Sequence, residues 1–287
     1  GGYQLGQAFQ AEWAEWNDRF RDTIRRAVRG DKGQMAGLAD ALSGSPEVFG
    51  RSTQRRCLSV NFLSAHDGLT LHDLVAYSEK HNHANGEDNR DGHTPDFSRN
   101  CGIEGATEDT VVLELRQRKL RLFHALLHLA QGTPMLVAGD EFGRTQHGNN
   151  NAYCHDSELT WVDWQLVEQN CDLLGFTQKV IAFRKHFAEF LFARNSKWEW
   201  HNTENAAADF SEMVRTLVLE VRKDSPSFDQ PACLRIHINC YDNPVEFRLP
   251  AGAWQRVLST LPSLSSGESV SGQHSVAGFS LDVLMSA

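Results

Sequence analysis

Residues 58 to 141 spell out a strand, a long helix and a second strand, and few folds accommodate that order. Leu58, Val60 and Phe62 alternate with Ser59 and Asn61, a period of two that halts at His66-Asp67-Gly68. A helical stretch is expected from Leu71 to about Lys80, followed by a long polar loop. The strongest helix signal runs from about Thr110 to Gln131, where Leu115, Leu122, Leu126 and Leu129 recur at helical spacing. Thr107, Glu108 and Asp109 supply capping oxygens before it, and Gly132 with Pro134 stops it. A second apolar run, Met135-Leu136-Val137-Ala138, then ends in Gly139-Asp140-Glu141. A helix between two strands is a crossover connection, so the strands should pair in parallel. Parallel strands put their C-terminal ends on one edge, where polar residues can converge on a ligand. Another helix is expected over about 172–187.

The pattern changes near residue 193. Leu217, Leu219 and Val221 alternate, as do Leu234, Ile236, Ile238 and Cys240, then Val245, Phe247 and Leu249, and finally Phe279, Leu281, Val283 and Met285. Turn residues separate these runs at Asp224-Ser225-Pro226, Asp242-Asn243-Pro244, Pro250-Ala251-Gly252 and the Ser/Gly tract 263–275. Residues 1–192 therefore read as an α/β region, and 193–287 as an all-β, antiparallel sandwich or barrel with no cluster of chemical candidates.

Charge and cysteine content narrow the partners. With 28 basic against 37 acidic residues, a net of −9, neither nucleic acid nor an anionic membrane is the expected partner. No apolar run approaches the roughly 20 residues that cross a bilayer. The six cysteines form no Cys-x-x-Cys pair, so no zinc ribbon is expected, and their scatter suits a reduced, cytoplasmic setting.

Among polar candidates, His66-Asp67 at a strand end stands first: a carboxylate there stabilises positive charge or moves a proton, and the imidazole donates to a hydroxyl or a second carboxylate. The dipeptide alone serves equally well as a helix cap. Asp140-Glu141 occupies the equivalent place one unit later, so the two acid pairs are expected to share a cleft. Residues 85–92 (NGEDNRDG) imitate the first half of an EF-hand loop, but Ser98 stands where the closing Glu belongs. A polar loop lining a cleft is the expectation. His81-x-His83 lacks a third ligand at a useful spacing, so no metal is expected. Ser64 has no nucleophile-elbow context. Trp13, Trp16, Trp161 and Trp164 lie near these polar segments and suit either a core or a sugar-stacking platform.

Taken together, WNDRFRD (16–22), SVNFLSAHDG (59–68), NGEDNRDG (85–92), TPMLVAGDEFGRTQ (133–146) and GNNNAYCHD (148–156) resemble the glycogen-operon debranching enzymes and isoamylases of the α-amylase superfamily. The resemblance covers about residues 1–190, in the family's order. It implies the C-terminal part of a (β/α)8 barrel followed by a β-sandwich domain, retaining hydrolysis of α-1,6 branches in glycogen or limit dextrin, and no cofactor. It implies that His66 binds the sugar at the cleavage subsite and that Asp67 is the transition-state-stabilising aspartate. Trp16, Asp140, Glu141, Asn150, Asn151 and Tyr153 would bind substrate or shape the cleft mouth. The family's nucleophilic Asp and acidic Glu precede the segment that opens this chain, so both are expected on a missing N-terminal half, leaving the isolated chain inactive. Three alternatives stay open: a non-catalytic α-glucan-binding fragment, a sister activity of the superfamily, or Asp67 and Glu141 acting as a new acid pair.

Overall fold

The computed structural model describes residues 4–6, 13–50, 58–193, 195–223, 233–264 and 266–286. The turn expected at 224–226 and Cys57 lie outside them. In chain order the α/β region comprises β1 (Glu15–Asn17), α1 (Asp18–Arg29), α2 (Met35–Leu42), α3 (Pro46–Phe49), β2 (Ser59–Asn61), α4 (Asp73–Ala76), α5 (Thr110–Leu129), β3 (Thr133–Pro134), α6 (Leu166–Gln169), α7 (Cys171–His186) and α8 (Ala188–Leu191).

β1, β2 and β3 form one sheet in that order, and both pairings are parallel, as the crossover requires. Polar side chains lock the register. Asn17 Nδ2 donates to Ser59 Oγ at 2.8 Å and to Ser45 Oγ at 2.9 Å, and Asn61 Nδ2 donates to the Gln131 carbonyl at 2.8 Å. Asn17 also caps α1, its Oδ1 accepting from Phe20 N, so strand end and helix start are fixed by one amide. β2 flanks β3 on one side; among the described residues no strand flanks the other.

α5 packs on α7, α1 and α4 through fully buried Leu122, Leu126 and Leu127. Asp109 caps it, accepting from Val111 N and Val112 N. Its Arg116 is buried and donates to the carbonyls of Gly105, Asn100 and Ile103, which holds the 100–105 loop against the helix.

Two expectations need correction. The helix proposed for 71–80 is a single turn, α4. The Leu74 and Ala76 carbonyls, which would accept from residues 78 and 80, instead accept from Arg99 N and Gly105 N. The run 135–138 is not a strand beyond β3: Met135 N still reaches the Asn61 carbonyl, after which the chain turns at Val137–Asp140.

Eight strands follow: β4 (Ser196–His201), β5 (Thr216–Lys223), β6 (Cys233–Asn239), β7 (Val245–Arg248), β8 (Trp254–Ser259), β9 (Ser269–Val270), β10 (Gln273–Val276) and β11 (Ser280–Ser286). Six make an antiparallel sheet ordered β4-β5-β6-β11-β8-β9, and β7 pairs with β10. Leu219, Ile236, Ile238, Leu281 and Val283 join the same continuous core as α1, α5 and α7. Lys119 of α5 lies 4.0 Å from the centre of the Phe279 ring across that junction. The β7–β10 pair covers part of the other face, where Phe247 stacks on the buried His237 at 5.0 Å. No helix among the described residues is long and apolar enough to cross a membrane.

Two substitutions separate core from cap. Leu126→Ala should destabilise the fold by about 2–5 kcal/mol, since the site is closed on all sides. Asp109→Ala should cost about 1 kcal/mol. Urea midpoints at constant m-value check both.

Candidate functional site

β2 delivers Asp67 to the edge of the parallel sheet. Leading up to it, Phe62, Leu63 and Ser64 are buried, then His66 is exposed and Asp67 half-buried. Arg25, buried on α1, fixes this path by donating to the Leu63 carbonyl from Nε at 2.8 Å and Nη2 at 2.6 Å. Trp16 of β1 packs its ring 5.7 Å from Phe62 and edge-on to His66 at 6.1 Å while remaining half exposed. Trp16, His66 and Asp67 therefore form one surface.

A fourth residue completes it. His93 Nε2 lies 3.1 Å from Asp67 Oδ2. Burial pushes the Asp67 carboxyl up, but the His93 hydrogen bond and the charges of His66 and His93 outweigh it and hold the group below its ordinary value. At neutral pH Asp67 is a carboxylate facing solvent beside an aromatic ring, suited to stabilising positive charge on a ligand.

The loop bearing His93 is held by amides. Asn150 Nδ2 donates to the His93 carbonyl at 2.9 Å and to Asp96 Oδ2 at 2.7 Å, and its Oδ1 accepts from Asn82 Nδ2 at 2.8 Å. The Asn150 carbonyl accepts from Gly68 N at 2.8 Å, next to Asp67 itself. Gly92 crosses over this amide with φ +79°, and a Cβ there would stand 2.1 Å from Asn150 Oδ1. Asn151 Nδ2 and Asn85 Nδ2 both donate to Asp91 Oδ2, at 2.8 and 2.7 Å. The segment resembling half an EF-hand is thus cross-linked to 149–151 by amide donors.

The remaining candidates divide by exposure. Asn150 and Asp140 are buried, with no polar side-chain surface offered to a ligand; their side chains hold neighbouring segments instead. Asp140 accepts from Ser64 Oγ and from Leu71 N at 3.0 Å, so Ser64 is an anchor for this carboxyl. Burial raises the Asp140 pKa to about 6. Glu141 folds back onto its own turn, accepting from Gly139 N at 2.9 Å, which gives no support to an acid pair with Asp67. Tyr153 is 75% exposed and Asn151 half-buried. His81 Nε2 meets Glu104 at 3.0 Å rather than pairing with His83 on a metal. The sequence reading missed His93, Asn82, Asp96 and Arg25; the amide-rich composition of 82–89 and 149–151 was the only visible sign that these loops interlock.

No family model matches the chain. It is 50% identical over 190 residues to "Glycogen operon protein GlgX homolog" of Mycobacterium tuberculosis, covering 66% of this chain and 26% of that protein. It is 37% identical to "Isoamylase SU1, chloroplastic" of Zea mays (90% of this chain, 33% of the relative) and 37% identical to "Glycogen debranching enzyme" of Serratia proteamaculans (90% and 38%). The chain thus spans about a quarter to two fifths of these relatives. Its fold is similar to that of a pullulanase from Anoxybacillus sp. LM18-11 complexed with maltotetraose, with TM-score 0.69 and 23% identity, covering 96% of this chain and 35% of that one.

Two titrations test the site. His93→Ala should move the Asp67 pKa upward, read by carboxyl-carbon NMR. Because the folded Asp140 binds its proton more tightly than an unfolded Asp near 3.9, its contribution to stability should fall as pH rises from about 4 to 6. Asp140→Asn should remove that component, seen as a change in the wild-type-minus-variant difference between urea unfolding at pH 4.5 and pH 6.5.

Proposed function

We propose, on the chain's kinship with glycogen debranching enzymes and isoamylases, that it is part of a glycoside hydrolase that cleaves α-1,6 branches of glycogen or limit dextrin. The observation that carries this reading is the ionised, solvent-facing Asp67 set beside His66 and Trp16 at the end of a parallel strand. Glycosidic cleavage builds positive charge on the sugar ring, and a carboxylate fixed in place stabilises it without reorganising. His66 donates to a sugar hydroxyl, Trp16 covers an apolar ring face, and His93 orients the Asp67 carboxylate. Asn151 and Tyr153 border the entrance.

The retaining reaction also needs a nucleophile and an acid about 5–5.5 Å apart. We assign both to the part of the enzyme preceding this segment. In this reading residues 1–192 are the C-terminal sector of a (β/α)8 barrel and 193–287 its β-sandwich. The unflanked side of β3 supports the assignment, as does a groove of about 520 Å³ lined by Pro134, Leu136, Ile181 and Phe192, which a further barrel element would fill. The maltotetraose bound by the structurally similar pullulanase supports an α-glucan as ligand.

A reducing-end assay on phosphorylase limit dextrin tests the proposal. The isolated chain should release nothing, and the chain joined to its upstream half should release linear oligosaccharides. Asp67→Asn in the joined protein should lower kcat by about 100-fold or more with little change in the melting temperature. A wild-type rate in that variant would remove Asp67 from the mechanism.

A further inference from the structure

A second cleft, of about 580 Å³, opens between residues 144–147 and 158–166, and it shares no lining residue with the surroundings of Asp67. Its volume is that of a small-molecule site, typically about 300–1,000 Å³. Its most prominent side chain is Trp161, which is 57% exposed. An indole this exposed ordinarily turns freely, but this one is held. Trp161 Nε1 donates to Asp156 Oδ1 at 2.8 Å, and its backbone N donates to the Ser157 carbonyl at 3.0 Å. Arg144 braces the same turn from the cleft wall, its Nη2 donating to the Thr160 carbonyl at 2.8 Å. The ring plane is therefore set before any ligand arrives, so stacking on it costs little ordering.

Around the indole stand His147, Glu158, Asp163 and Gln165, all exposed. This lining mixes acids with bases, which disfavours a phosphate and a metal cation alike. It offers donors and acceptors side by side next to a flat apolar surface. A pyranose presents the complementary pattern: an apolar C–H face for the ring, and adjacent hydroxyls that both donate and accept.

We propose that the Trp161 cleft is a second binding site for a linear α-glucan chain, one that holds the polymer without cleaving it. The choice of α-glucan over other neutral oligosaccharides rests on the debranching reading; the existence of a sugar site rests on the lining alone.

Titration calorimetry of the full chain with maltohexaose tests this, using Trp16→Ala as background to remove the stacking contact beside Asp67. That protein should still bind maltohexaose. Adding Trp161→Ala should weaken the remaining binding by at least about tenfold, whereas Trp161→Phe, which keeps a stacking face, should retain most of it. An unchanged thermal melt shows that the exposed substitution leaves the fold intact. Binding that disappears with Trp16→Ala alone, or that ignores Trp161→Ala, overturns the proposal. Equal affinity for cellohexaose overturns its α-glucan assignment. The debranching reading stands or falls separately, in the hydrolysis of limit dextrin by proteins that keep Trp161.

Discussion

One buried residue, Asn150, ties together three segments that are distant from it in sequence. Its side chain holds Asn82, His93 and Asp96, and its carbonyl holds Gly68. Buried as it is, leaving any of these partners unmet would cost about 1–3 kcal/mol each, so the three segments are fixed as a unit. Asn82 completes the reciprocal pair by accepting from Asn150 N at 2.9 Å. The loop that brings His93 to Asp67 is held through this knot.

The electrostatic character of the site follows from it. A half-buried carboxylate on its own drifts toward the neutral form. Asp67 does not, because His93 stands at hydrogen-bond distance, and His93 stands there because its carbonyl is anchored to Asn150. Arg25 works from the opposite side, donating to the Leu63 carbonyl before Asp67 and to the Asp96 carbonyl at 3.0 Å on the far loop. Burial lowers its pKa only to about 10, so it remains a cation at neutral pH. Asp73 anchors the 145–148 loop in the same way, accepting from Gln146 N at 2.8 Å and Gly148 N at 3.2 Å. The edge of the sheet is thus a set of irregular loops made rigid by buried polar groups, each paired with backbone.

Where a signal was local and periodic, it was legible in the sequence. Leu115 through Leu129 marked α5 and Asp109 its cap, while Val60 and Phe62 marked β2, and the intervening crossover implied the parallel pairing that β2 and β3 show. Leu219, Ile236 and Leu281 marked the antiparallel strands. Backbone commitments across long distances were not legible: α4 stops after one turn because Arg99 and Gly105 take its carbonyls, and nothing near residue 74 announces that. β4 alternates Trp198 and Trp200 with exposed Lys197 and Glu199, but two apolar positions are too short a run to mark a strand. The Ser/Gly tract expected to be a turn over 263–275 holds β9 and most of β10, whose two and four residues pair through backbone that small polar residues do not announce. At the site, His66, Asp67 and Trp16 stood out through the company of their motifs. His93 did not, since a histidine after a glycine in a polar loop carries no mark of its partner 26 residues away.

Asn150 does not touch Asp67, yet by anchoring the loop that carries His93 it helps hold the Asp67 carboxyl below its ordinary value. The direct measurement is the Asp67 pKa in Asn150→Ala, followed by carboxyl-carbon NMR alongside the unaltered chain. Releasing the His93 carbonyl should let the imidazole drift and move the Asp67 pKa upward. An Asp67 titration unchanged by Asn150→Ala, in a protein that remains folded, would contradict it.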